Sequence, residues 1–225
     1  MKTLGFEYNG YPATILFPDN FNGKWVWKTE FLYAFDQAER ALFDDGYARV
    51  YYAISDQFGS PNAVERMRAF HEYIVKEYAL APKAFLFGFS RGGLYAFNYA
   101  AKYPERVEKL YLDAPVLDLK SWPPVGSRDY SLMLAEYGLT EAEFSTFKGS
   151  PVDNFSALYE TGLPVLLVAG DSDEVVPYED NGKRLVDYYK ARGKAVELYL
   201  KAGCGHHPHS LEDVTPIVAF VKNVR

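Results

Sequence analysis

Two stretches constrain this chain more than any others: Ala84 to Phe87 and Pro164 to Ala169 are short and almost wholly apolar. Runs of that length lack the span of a buried helix, and they have no polar alternation. They suit strands covered on both faces, as in a parallel sheet. Further runs of strand length occur at Ala13 to Phe17, Arg49 to Ile54, Leu110 to Leu112 and Val196 to Lys201. In the last, Val196, Leu198 and Leu200 alternate with Glu197, Tyr199 and Lys201, the pattern of an edge strand with one wetter face. Helical patterns lie between the runs, at Trp27 to Phe43, Gly92 to Lys102, Glu179 to Ala191 and Pro216 to Val224. Another helix opens at Ser60-Pro61, a capping residue followed by proline in the first turn. Its stripe, Val64, Met67, His71, Ile74 and Tyr78, makes His71 a packed histidine rather than a catalyst.

Strand and helix alternate almost throughout, which predicts an α/β fold: a mostly parallel central sheet flanked by helices. Residues 115–162 break the rhythm. They hold Trp122-Pro123-Pro124 and helical pieces near Ser131 to Tyr137 and Thr140 to Phe147. This segment reads as a small insertion over one end of the sheet, within a single domain spanning residues 1–225.

A chain of 225 residues with 48% apolar side chains can bury a stable core without staples. The net charge of -6 comes with no basic run, so nucleic acid is not an expected partner. With Cys204 as the single cysteine, no disulfide can form within the chain. MKTLGFEYNG has no apolar signal core, so a cytoplasmic location is expected, or a secreted or periplasmic one if a signal peptide has been removed. No apolar stretch approaches the ~20 residues of a membrane span.

One turn is unusually rich in glycine. GFSRGG, Gly88 to Gly93, follows the apolar run ending at Phe87 and opens a helix. A sharp strand-to-helix turn strains the residue at its apex and crowds the residues on either side of it. Gly88 and Gly92 have no Cβ to clash there, and Gly93 lets the helix lie close on the sheet. The Ser90 hydroxyl would then stand clear at a helix N-terminus, among unpaired N–H groups. A serine hydroxyl is a weak nucleophile and needs a base oriented by a carboxylate. Three of the four histidines sit in GCGHHPHS, residues 203–210, just after the run Val196 to Lys201. A carboxylate cluster, GDSDEVVP at residues 170–177, sits just after Pro164 to Ala169. All three groups fall at strand ends, where open α/β sheets keep their sites.

With these motifs in the order Ser, Asp, His, the chain resembles the α/β-hydrolase superfamily, in its esterase and prolyl-oligopeptidase-like branches. The resemblance covers nearly the whole chain. It implies an α/β-hydrolase fold with Gly88-Phe89-Ser90-Arg91-Gly92-Gly93 as nucleophile elbow and residues 115–162 as a small cap. It implies Ser90, Asp173 and His206 as the catalytic triad, the acid standing three residues after Gly170 and the histidine following Gly203-Cys204-Gly205. The backbone N–H of Arg91 becomes the first oxyanion donor. Many members carry the second donor on a His-Gly loop after the third strand. No His-Gly follows the run Ala13 to Phe17 here, and the second donor is expected within Pro18 to Trp27.

Rival readings attach to the same residues. Asp171 competes with Asp173, and His207 with His206. His206, His207 and His209 together have a spacing that can hold zinc, though the hydrolase reading needs no metal and no cofactor. Cys204 reads as a small packed residue, and Arg91 as a partner of a substrate carboxylate or of a nearby acid. The expected partner is a small-molecule ester: a short, acetyl-type acyl group on a polar or carbohydrate alcohol. Trp25, Trp27, Trp122 and Tyr130 would offer flat faces to a sugar ring, and Asp19, Asn20, Asn22 and Arg128 would bond its hydroxyls. The rival enzyme reading is a peptidase or aminoacyl hydrolase. A catalytically silent hydrolase fold used as a binding module is the third.

Overall fold

The apolar runs become the centre of one eight-stranded sheet in a computed structural model, which describes residues 1–223. The strands are β1 (Lys2–Tyr8), β2 (Tyr11–Phe17), β3 (Trp25–Lys28), β4 (Ala48–Tyr52), β5 (Ala84–Phe89), β6 (Val107–Asp113), β7 (Val165–Gly170) and β8 (Glu197–Lys201). Their spatial order is β1-β2-β4-β3-β5-β6-β7-β8. β2 runs antiparallel to β1 and β4, and the other neighbouring strands pair in parallel. Every residue of β5 and of β7 is buried, as their lack of alternation requires. β8 forms one edge and keeps a half-exposed pattern.

Helices cover both faces. On one side lie α1 (Gln37–Asp44) and α8 (Thr215–Lys222), packed on Val26, Phe85, Phe87 and Val168. On the other lie α2 (Pro61–Tyr78), α3 (Gly92–Lys102), α6 (Phe155–Thr161) and α7 (Gly182–Lys190) over the larger core. Ser60 caps α2, its side chain accepting from the Ala63 N–H. His71 is buried between Pro82 O and the Tyr99 hydroxyl, and burial pushes its imidazole down to about 4. The expected end of the last helix at Val224 lies outside the described residues.

Two strands depart from expectation. β1 pairs with β2 through Asn9-Gly10, both at positive φ, a tight hairpin whose outer strand is largely exposed. The expected helix from Trp27 to Phe43 shrinks to α1, because Trp25 to Lys28 instead lie between β4 and β5. Lys28 tolerates this burial because its ammonium meets Glu39 Oε1 of α1 at 2.6 Å.

Residues 115–162 hold α4 (Arg128–Tyr137), α5 (Glu141–Thr146) and α6. The segment is tied down at several points. The Leu117 and Asp118 N–H groups donate to Asn181 Oδ1 at 2.8 and 2.9 Å, and the Tyr137 hydroxyl donates to Phe58 O at 3.1 Å. Among the described residues no helix is long and apolar enough to cross a membrane.

Candidate active site

Ser90 stands between β5 and α3 with φ +50°, a left-handed backbone angle that a side-chain-bearing residue rarely adopts. The surroundings hold it there. Its N–H donates to Asp113 O and its carbonyl accepts from the Val116 N–H, both at 2.9 Å. The glycines serve close approach. A Cβ on Gly88 would meet Ala96 Cβ at 2.6 Å, and one on Gly93 would meet Pro115 Cβ at 2.5 Å. One on Gly92 would come within 2.8 Å of Thr29 Oγ1.

The loops after β7 and β8 converge on this serine. Ser90 Oγ lies 2.9 Å from His206 Nε2, and His206 Nδ1 lies 2.7 Å from Asp173 Oδ2. The other Asp173 oxygen accepts from the Val175 and Val176 N–H groups, each at 2.9 Å, which fixes the carboxylate. Asp173 and His206 are buried, whereas Ser90 is half-buried. An Nδ1–H donated to Asp173 leaves the Nε2 lone pair free to accept the serine proton. Asp171 is exposed and does other work. It accepts from the Gly203 N–H at 2.7 Å and so braces the acid loop against the histidine loop. His207 is exposed, its ring stacked 5.5 Å from that of Phe35. Cys204 is a free thiol of intermediate burial.

A second acid–histidine pair sits behind the first, and the sequence reading missed it. Buried His209 Nδ1 lies 2.7 Å from Asp113 Oδ1 at the end of β6. Asp113 Oδ2 accepts from the Ser210 N–H at 2.8 Å and from the Tyr111 hydroxyl at 2.5 Å. The histidine loop is thereby pinned to β6 as well as to β7. An acid closing the apolar run Leu110 to Leu112 was the available signal.

The expected place of the second oxyanion donor needs correction. Residues 18–24 lie at the opposite end of the parallel strands: Asn22 N–H donates to Gly46 O and Ala81 N–H to Gly23 O, just ahead of β4 and β5. Asp19, Asn20 and Asn22 stand there too. Asp19 pairs with the N-terminal ammonium, and the two asparagine amides donate to Asp44 O and Asp45 O. The loop that meets the elbow follows β3 instead. Thr29 Oγ1 donates to Gly92 O at 2.8 Å, and Glu30 Cβ lies within 3.2 Å of where a Gly92 Cβ would stand. Among the described residues, the N–H groups of Arg91, Glu30 and Phe31 have no acceptor.

Three of the four aromatic residues assigned to substrate lie in the core. Trp25 and Trp27 are 0% and 1% exposed, stacked on each other beneath the sheet, with Trp25 Nε1 donating to Ala81 O. Tyr130 is buried against Phe144. Trp122 is half-buried beside Phe58, and Arg128 is exposed at the start of α4. Large apolar side chains were needed to fill the space between sheet and helices, and that demand claimed the rings.

Charge at the site mouth is paired internally. Arg91 Nε lies 3.6 Å from Glu30 Oε1, and the Ser55 hydroxyl donates to Glu30 Oε2 at 3.0 Å. Burial nevertheless pushes the Glu30 carboxyl up to about 7. The Arg91 guanidinium also lies over the Phe31 ring, 5.5 Å from its centroid.

The sequence profile of the prolyl oligopeptidase family matches residues 44–224, which include the elbow, the acid loop and the histidine loop. The chain belongs to the prolyl oligopeptidase family. Its eight-stranded, mostly parallel sheet flanked by helices is the α/β-hydrolase fold. Solved structures share that fold at low identity. A puromycin-hydrolyzing peptidase of Mycobacterium tuberculosis is 16% identical, with a TM-score of 0.72 over 96% of this chain and 37% of its own. Est1E from Butyrivibrio proteoclasticus is 17% identical, with a TM-score of 0.64 over 91% of this chain and 90% of its own. An α/β hydrolase from the sediment metagenome of the Mar Chica lagoon, Morocco, is 16% identical, with a TM-score of 0.57. The chain spans about a third of the length of the peptidases it resembles. No curated protein sequence matches it significantly.

Proposed function

We propose that this family member hydrolyses an acyl bond through a covalent Ser90 intermediate. The observation that carries the reading is the unbroken hydrogen-bonded chain from Ser90 Oγ through His206 to Asp173, at 2.9 and 2.7 Å. In this reading His206 Nε2 takes the Ser90 proton as Oγ attacks the acyl carbon. Asp173 holds the imidazole tautomer and stabilises its cation. The oxyanion develops beside the Arg91 N–H and an N–H of the Glu30–Phe31 turn, and each such donor is worth roughly a hundredfold or more in turnover. The imidazolium then protonates the leaving group, and water deacylates the serine by the same route in reverse.

The proposed substrate is a neutral carboxylic ester. Arg91 and Glu30, charged side chains beside the elbow, face each other and are not offered to a peptide's termini. Each flanking loop presents an apolar side chain to solvent, Phe31 at 38% and Val175 at 52%, the latter beside the exposed acids Asp171 and Glu174. With Trp25, Trp27 and Tyr130 in the core, the case for a carbohydrate alcohol loses its residues, and a short acyl ester of any alcohol is the first substrate to assay. The family match favours a second reading, peptide or aminoacyl-amide hydrolysis. A fluorophosphonate probe should label the protein, and Ser90→Ala should abolish both labelling and turnover. Labelling of the Ser90→Ala chain would refute the nucleophile. Among acyl esters, aminoacyl amides and peptides assayed together, a higher kcat/KM for any amide than for every ester would replace the ester reading with the peptidase one.

A further inference from the structure

The histidine loop places three imidazoles together, and hydrolysis as proposed uses only one. His206, His207 and His209 each offer a ring nitrogen, and these nitrogens all lie within 4.8 Å of one another. The ring centroids are 4.8 to 4.9 Å apart. His206 and His209 are each backed at Nδ1 by a buried carboxylate, Asp173 and Asp113, at 2.7 Å. A carboxylate on Nδ1 sets the ring's orientation and leaves Nε2 as a basic electron-pair donor. Histidine ligands of metals are supported in this way. Nε2 of His209 has no partner among the described residues, and His207 is exposed, its ring resting on Phe35.

We propose that these three histidines form a binding site for zinc, and that an ion there switches hydrolysis off. Zinc takes imidazole nitrogens at about 2.0–2.1 Å in tetrahedral geometry. Tetrahedral bonds of that length set the nitrogens about 3.3 Å apart, so the widest spacing of 4.8 Å must close by about 1.5 Å, and His207 is the exposed member able to move. Ser90 Oγ now stands on the lone pair of His206 Nε2 at 2.9 Å, so it turns aside as the ion enters, and water completes the fourth position. Three imidazoles select zinc or copper over magnesium or calcium, which prefer oxygen. No covalent step is involved. The lone pair on His206 Nε2 cannot hold both the metal and the serine proton, so the bound state lacks its base. The site is inhibitory, and removing metal from the protein leaves hydrolysis intact.

The proposal goes beyond the hydrolase reading, although the inhibition arm rests on His206 being the base. Calorimetry with zinc chloride on the Ser90→Ala chain, which has no turnover to lose, reads the site alone. About one equivalent should bind with micromolar affinity, and adding His207→Ala to that chain should weaken binding at least about tenfold. In the active protein, zinc should slow both ester hydrolysis and fluorophosphonate labelling, and EDTA should restore both. Magnesium and calcium should do neither. The single variant His207→Ala should keep its turnover and raise the zinc inhibition constant at least about tenfold. Three results would each overturn the proposal: no zinc binding to the Ser90→Ala chain, equal zinc sensitivity with and without His207, or stoichiometric binding with turnover unchanged. Failure of the hydrolase reading shows itself differently, as a chain that binds zinc but turns over nothing and takes no probe.

Discussion

At the scale of single residues, three histidines within four positions have three different environments. His206 bridges Ser90 and Asp173, His207 lies on the surface against Phe35, and His209 is buried on Asp113. The first prediction follows from that difference. His206→Ala should lower kcat/KM at least about a thousandfold, whereas His207→Ala should stay within a few-fold of the parent. Steady-state kinetics on a chromogenic ester checks it, and the reverse order would make His207 the base. Asp173→Asn should cost about ten-thousandfold in kcat while leaving the fold intact, because an amide at this position favours the wrong imidazole tautomer. Asp171→Asn removes only a brace to the Gly203 N–H and should cost far less. The motif spacing was enough to single out Ser90, Asp173 and His206, which the fold brings within hydrogen-bond reach of one another, since each follows the end of a strand. It could not separate His207 from His209. Burial of His209 depends on an aspartate 96 positions away, which no local pattern records.

At the scale of elements, the most legible strands were those whose chemistry is uniform. β5 and β7 are wholly apolar, and α2 and α3 carry a capping residue or a glycine turn at their starts. β3 was missed because Trp25-Val26-Trp27-Lys28 ends on a charge, which resembles the start of an amphipathic helix. Its burial becomes tolerable through Glu39 on α1 and the Ala34 carbonyl, which both meet the ammonium. With β3 unrecognised, the turn that meets the elbow, which follows β3, could not be told from the segment before it. The Lys28–Glu39 pair also carries a prediction. Its side chains are 2% and 1% exposed, and the ammonium sits 4.1 Å from the ring centroid of Phe89, the residue before Ser90. Burial already pushes the Glu39 carboxyl upward, with Lys28 opposing it. Lys28→Met should destabilise the protein by about 3–5 kcal/mol, by stranding a buried carboxylate. Adding Glu39→Leu should recover much of that loss, because a matched apolar pair often replaces a buried ion pair at little cost. Urea denaturation of the two variants checks both, and a double variant weaker than the single one would show that the pair itself is stabilising.

At the scale of the whole molecule, two buried groups set opposing pH dependences on folding. Glu30 is shifted from 4.5 up to about 7 by burial, so between those values the folded state binds more protons than the unfolded one, and stability falls as pH rises. His71 is shifted from 6.5 down to about 4, so in its window the unfolded state binds more protons, and stability rises with pH. Each shift corresponds to about 3 kcal/mol when fully developed, and the windows overlap, so much of each effect is masked in the parent protein. Removing one group should unmask the other. Glu30→Gln keeps the shape and the hydrogen bond from Ser55 but removes this titration, which leaves the rise contributed by His71 without the opposing Glu30 contribution. Against the parent, this variant should gain several degrees in melting temperature at pH 8, where ionised Glu30 is a burden. It should gain little at pH 4.5, where the parent carboxyl is already protonated. Arg91 loses its partner in the exchange, but its half-exposed guanidinium can turn to water. Melting curves of the two proteins across that range check the sign. A variant less stable at pH 8 than its parent would mean that the attraction of Arg91 outweighs desolvation, and that Glu30 folds as a stabilising anion.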